Sequence, residues 1–202
     1  MDVLYSGDIS AENNKKFFQA NRGKKIRRLL ITSSGGEVKA GIELGRWVFR
    51  QQLDVVVVDY CLSSCANYVF TAGVNKRISS GAVVAWHGNY HHLLHTGAWR
   101  DEIALRMRKY HESKKQAEHY VSAQVDQLVQ LEKVFFTMIG VDESICWIAK
   151  MPPFNVSNYY FLSVEDMARF GVGRVTAPAD YQATDISGLS VSVIYVKLPA
   201  KN

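Results

Sequence analysis

Two serine-bearing turns and one histidine carry most of the chemistry this sequence offers. Ser34-Gly35-Gly36 and Ser63-Ser64-Cys65 each stand between a strand-like apolar run and a stretch with helical spacing. Each therefore sets backbone N–H groups at a helix N-terminus, where developing negative charge is stabilised. A hydroxyl in such a turn, next to unshielded glycine backbone, meets the two needs of acyl transfer: a nucleophile and an oxyanion hole. The base candidate is His87, which ends the apolar run Ala82-Val83-Val84-Ala85-Trp86 and so emerges from the end of a strand. The competing reading of His87 is a hydrogen-bonded structural histidine.

Other reactive residues point to less. His87, His91, His92 and His95 crowd one loop, and the three- and four-residue spacings suit two ligands on one helix face. No carboxylate or cysteine joins them before Asp101, so the expectation is no metal and no cofactor. Cys61 and Cys65 form a disulfide if the chain works in an oxidising compartment, and are otherwise two reduced thiols; Cys146 is left over. Arg22, Lys24, Lys25, Arg27 and Arg28 read as a solvated edge.

The elements that must position these residues alternate in type. Val3 to Gly7 reads as a strand, Ser10 opens a helix, and Ile26 to Thr32 is a buried strand leading into the glycine turn. Val38, Ile42, Val48 and Phe49 then follow helical spacing, and Asp54 to Asp59 holds a four-valine run expected in a strand covered on both faces. Ser63 to Gly73 reads as a second helix and Ala82 to Trp86 as a short strand. From Trp99 to about Met138 the pattern predicts one long amphipathic helix, and Ser190 to Leu198 alternates as an edge strand would. Such alternation implies an α/β fold with a largely parallel sheet.

Composition sets the outer bounds. The 202 residues, 48% hydrophobic and 21% charged, describe one globular domain, residues 1–202, with no linker or repeat. A net charge of +5 without a basic, aromatic-interleaved helix argues against a nucleic-acid binder. The apolar run Val55 to Val58 is far short of the roughly 20 residues that span a bilayer. No basic and apolar leader opens the sequence, so a cytoplasmic location is expected as it stands, and a periplasmic or secreted one if a signal was removed and the Cys61–Cys65 pair is oxidised.

Several segments together resemble the Clp protease proteolytic subunit and the wider superfamily it shares with signal peptide peptidase A and the crotonases. Leu30 to Gly41 resembles the family's strand, glycine turn and Ala-Gly helix, with Ser34 where proline is usual. Ser64-Cys65-Ala66-Asn67-Tyr68-Val69-Phe70-Thr71-Ala72-Gly73 resembles its nucleophile helix, Asn75 to Ile78 its Lys-Arg segment, and Phe161-Leu162-Ser163 with Phe170-Gly171-Val172 its closing helix. The resemblance implies a spiral of ββα units with a long helical handle at about 99–138 and a tail strand beyond the match at about 190–198. It implies Ser64 as nucleophile, His87 as general base, and the N–H groups of Gly36 and Cys65 as oxyanion hole; Ser63 is the reserve if the helix starts one residue earlier.

The family's acidic third member falls on Tyr159, next to Asn158, and no carboxylate lies between Glu143 and Glu165. Asn158 is the candidate orienter, with Tyr159 and Asn155 behind it. The Cys pair bracketing a serine resembles secreted or periplasmic relatives. The expected function is thus a serine peptidase acting through an acyl-enzyme on a peptide or protein substrate, in a homo-oligomer, with nothing to show whether an ATPase takes part. The alternatives are a catalytically silent scaffold or peptide binder of the same fold, and a crotonase-type acyl-CoA enzyme, the latter lacking its glycine cluster and acidic base here.

Overall fold

The computed structural model describes residues 1–200; the last two residues of the expected domain lie outside them. Six strands form a parallel sheet: β1 (Asp2–Ser6), β2 (Arg28–Ser33), β3 (Asp54–Leu62), β4 (Lys76–Ile78), β5 (Val83–Ala85) and β7 (Val175–Thr176). The order is β1-β2-β3-β4-β7; β4 pairs with residues 55–57 of β3 and β5 with residues 60–62. The expected α/β class with a mostly parallel sheet is therefore present.

Burial explains the strands. In β1 Val3 and Tyr5 point inward while Leu4 is exposed; in β2 Leu29 and Ile31 are fully buried. The four-valine run departs from expectation: Val55 and Val57 are buried, but Val58 is 42% exposed. Only one face of β3 is covered at that point, so a β-branched run alone did not signal two-sided burial.

Helix α1 (Ala11–Ala20) is capped by Ser10, whose hydroxyl accepts from the Asn13 N–H at 3.1 Å. Helix α2 (Val38–Arg50) buries Ala40, Ile42, Leu44 and Val48. It lies against a π-helical turn, Cys65–Phe70, that follows β3. Two glycines make that contact possible: a Cβ on Gly45 would stand 2.3 Å from the Tyr68 carbonyl oxygen, and one on Gly41 2.7 Å from the Tyr68 ring. Gly45→Ala is expected to lower stability by about 2 kcal/mol in urea unfolding, the overlap with backbone outweighing the gain in helix propensity.

The long helix expected over 99–138 is two helices. Following the short α3 (Tyr90–Thr96), α4 (Arg100–Tyr110) ends at His111, which takes a left-handed φ of 55°. Helix α5 (Lys114–Ile139) then restarts from a capping box in which Ser113 and Gln116 satisfy each other's backbone N–H. The Ser-x-x-Gln pattern was present in the sequence; the apolar spacing ran through it unbroken. Helix α4 folds back on α5 around Ile103, Ala117, Val121, Val125 and Val129.

The tail alternation is realised in β8 (Val193–Tyr195), shorter than expected and paired in parallel with β6 (Tyr159–Phe161). This small sheet is tied to the large one by an antiparallel bridge between Trp86 and Tyr160, whose N–H groups donate to each other's carbonyls at 2.8 and 2.9 Å. The bridge sets Tyr159 opposite His87. A further helix, α6 (Val164–Ala168), is capped by Ser163. No helix among the described residues is long and apolar enough to cross a membrane.

Candidate functional site

The end of β3, the end of β5 and the glycine turn after β2 meet at one place. The register of β2 against β3 shifts between Ile31 and Ser33, so Cys61 stands beside Ser33, where that turn begins. Gly35 lies against the end of β3: a Cβ there would be 2.7 Å from the Leu62 oxygen. Gly36 has φ 145°, and a Cβ on it would be 2.1 Å from the Ile9 oxygen. Only glycine fits at either position.

Ser63 sits between strand and π-helix with φ 54°, a left-handed conformation that costs a serine energy and turns its hydroxyl out of the chain's path. Its N–H donates to the Ala85 carbonyl at 3.1 Å, and its own carbonyl accepts from the Asn67 N–H at 2.8 Å. A disulfide between Cys61 and Cys65, with Cα atoms 5.2 Å apart, brackets it. Ser63 Oγ lies 2.7 Å from Nε2 of His87.

The structure sets Ser63, and not Ser64, beside His87. Ser64, the expected nucleophile, is buried at 3% exposure, and its hydroxyl donates to the Gly36 carbonyl at 2.8 Å. It fastens the glycine turn to the helix and does not face His87. The helix opens at Ser64–Cys65, where the resemblance places it, and the hydroxyl that meets His87 comes from the left-handed residue just before it. The residue after the paired serine is then Ser64, so Ser64 N–H takes the place expected for Cys65 N–H. Among the described residues neither Gly36 N–H nor Ser64 N–H donates a hydrogen bond.

His87 is held from several sides. Tyr159 lies over the imidazole with ring centres 4.4 Å apart. Asn67 donates from Nδ2 to the Gly88 carbonyl at 3.0 Å, joining the π-helix to the segment after β5. Although His87 is exposed, desolvation, then the Lys150 ammonium and His92, push its pKa down to about 4. The imidazole is therefore neutral at neutral pH and, with its proton on Nδ1, accepts the serine O–H at Nε2. The rate of Ser63 acylation should stay level from neutral pH down to about pH 5, then fall as the ring protonates. A labelling profile that instead breaks near 6.5, the ordinary histidine value, would contradict this.

The expected orienter is not at the base. Asn158 is exposed, and only its carbonyl is used, accepting from Lys150 Nζ at 3.2 Å. Asn155 is also exposed. The residue at His87 is Tyr159, in the position where the resemblance puts an acid, and no carboxylate bonds either ring nitrogen among the described residues. Lys150, which no motif pointed to, and His92 of the histidine tract act on His87 through their charge.

A cavity of about 390 Å³ opens beside the pair, lined by Gly36, Ser63, Asn67, His87, His92 and Lys150 among others. Its far wall is α3, whose placement depends on Glu132 of α5. That carboxylate is fully buried and accepts from the Tyr68 hydroxyl and from the N–H groups of Tyr90 and His91, at 3.2 and 3.1 Å for the two amides. A lone glutamate in an amphipathic helix gave no sign of this in the sequence.

The histidine tract is otherwise occupied. His91 Nδ1 lies 2.7 Å from Glu143, while His92 and His95 stack on Trp147 at 6.2 and 6.1 Å. No group of three or more metal-ligating side chains gathers among the described residues. The chain matches no family model and no curated protein.

Proposed function

We propose that the protein is a serine hydrolase of peptidase type, in which Ser63 is the nucleophile and His87 the general base. The observation that carries this reading is the 2.7 Å Ser63–His87 contact, at a left-handed turn opening onto a cavity. In the reaction Ser63 Oγ adds to the scissile carbonyl as its proton passes to His87 Nε2. Collapse of the tetrahedral adduct breaks the bond to the leaving group, which takes that proton, and water then releases the acyl group by the reverse proton route. The N–H groups of Gly36 and Ser64 are the oxyanion donors in this scheme.

The resemblance to the Clp/crotonase superfamily supports the same reading, since a parallel sheet with the glycine turn and nucleophile turn at neighbouring strand ends suits its spiral of ββα units. The Cys61–Cys65 disulfide supports an oxidising compartment. Exposed Leu105, Tyr110, Tyr120 and Val134 on α4 and α5 support a homo-oligomer. A second reading, a silent scaffold that binds peptides, is favoured by the lack of a carboxylate at His87.

Labelling with a fluorophosphonate separates the two. A hydrolase gives a covalent adduct mapped to Ser63 and lost in His87→Ala; a folded protein that never labels is the scaffold.

A further inference from the structure

The one standing charge in the cavity lining is positive. Lys150 lies there with the neutral imidazoles of His87 and His92 and not a single aspartate or glutamate. Lys150 is half-buried and has no acidic partner among the described residues. Its ammonium donates to the Ser157 carbonyl at 2.6 Å and the Asn158 carbonyl at 3.2 Å, which leaves a third N–H. The nearest acid to the tract, Glu143, is engaged by His91 and by Asn89 Nδ2.

A partly desolvated cation with no counter-charge is unfavourable unless an anion arrives. The same is true of the imidazolium that forms on His87 during acyl transfer: Lys150 and His92 both oppose it, and no acid of the protein favours it. One missing charge would answer both.

Resting on the hydrolase reading above, we propose that the cavity takes a substrate carrying its own carboxylate near the scissile bond, held by Lys150 and His92, and that this carboxylate stands in for the absent acid beside His87. The carboxylate comes either from an acidic side group of the substrate or from a free peptide C-terminus.

The test is protection of Ser63 from a neutral fluorophosphonate by two pairs of capped peptides. One pair is acetyl-Ala-Ala-Glu-Ala-amide and its Gln counterpart; the other is acetyl-Ala-Ala-Ala-Ala with a free and with an amidated C-terminus. In at least one pair the carboxylate member should protect at about tenfold lower concentration, the effect of one well-placed charge contact, and the pair that shows it identifies the source. The ratio should fall to near one in Lys150→Met and survive in Lys150→Arg. His92→Gln, which leaves the Lys150 contacts intact, should narrow it. Equal protection within both pairs, or a preference that persists in Lys150→Met, overturns the proposal while leaving the hydrolase standing. Wild-type protein that does not label overturns the hydrolase reading itself.

Discussion

Ser63→Ala is expected to abolish covalent labelling and to lower any turnover by at least about a thousandfold, as loss of a serine nucleophile does elsewhere. Ser64→Ala should keep labelling within about tenfold of the original, because its hydroxyl is committed to the Gly36 carbonyl and does not face His87. The cost of that second change falls on stability, about 1 kcal/mol for a lost buried hydrogen bond. Ser63→Gly adds an independent check. With φ 54° a glycine removes local strain, so this variant should be inactive yet more stable than Ser63→Ala by about 1 kcal/mol. Labelling that survives Ser63→Ala and disappears in Ser64→Ala would reverse the assignment.

The second large effect is on stability. Glu132→Ala strands three donors at once: the Tyr68 hydroxyl and the N–H groups of Tyr90 and His91. With the hydroxyl fully buried and the amides at the start of α3, the loss should be about 3 kcal/mol. That is on the order of 10 °C in melting temperature for a protein of this size. Because α3 walls the cavity, labelling of Ser63 should slow as well.

The pH dependence carries a sign. Desolvation, working against its three donors, raises Glu132 from its ordinary 4.5 to about 7. The unfolded protein therefore gives up this proton first as pH rises, and the folded protein loses stability between about 4.5 and 7 through this group. Glu132→Gln removes that dependence, so its deficit relative to wild type should shrink from pH 5 to pH 8. A constant deficit would mean that Glu132 is already ionised when folded at pH 5.

Much of the fold is legible in the sequence, since β1, β2, β3 and β5 announce themselves by apolar runs bounded by turn residues. β4, β6 and β7 do not: three or two residues of strand leave no periodicity, and their pairing is decided by distant partners. The pairing of a serine with His87 is readable to within one residue. Gly36 and His87 are where glycine geometry and strand-end position put them, whereas Ser63 and Ser64 are neighbours of identical type. Only the left-handed backbone at Ser63 separates them, and a single sequence does not display φ. Lys150 and Glu132 are hidden for another reason: neither carries a local motif, and what each does depends on segments that folding brings to it. Tyr159 is within reach of the resemblance, which sets it in the acid's place behind Asn158.

The disulfide that brackets Ser63 joins two cysteines with no solvent exposure at all. A reducing thiol must approach one sulfur in line with the bond, and in the native state no path leads there. Reduction must therefore wait for the structure to open, which makes the rate of thiol release a clock for transient exposure of the reactive turn. Slow release would show that the turn, once closed during folding, keeps its oxidation state through later changes in the surrounding redox poise.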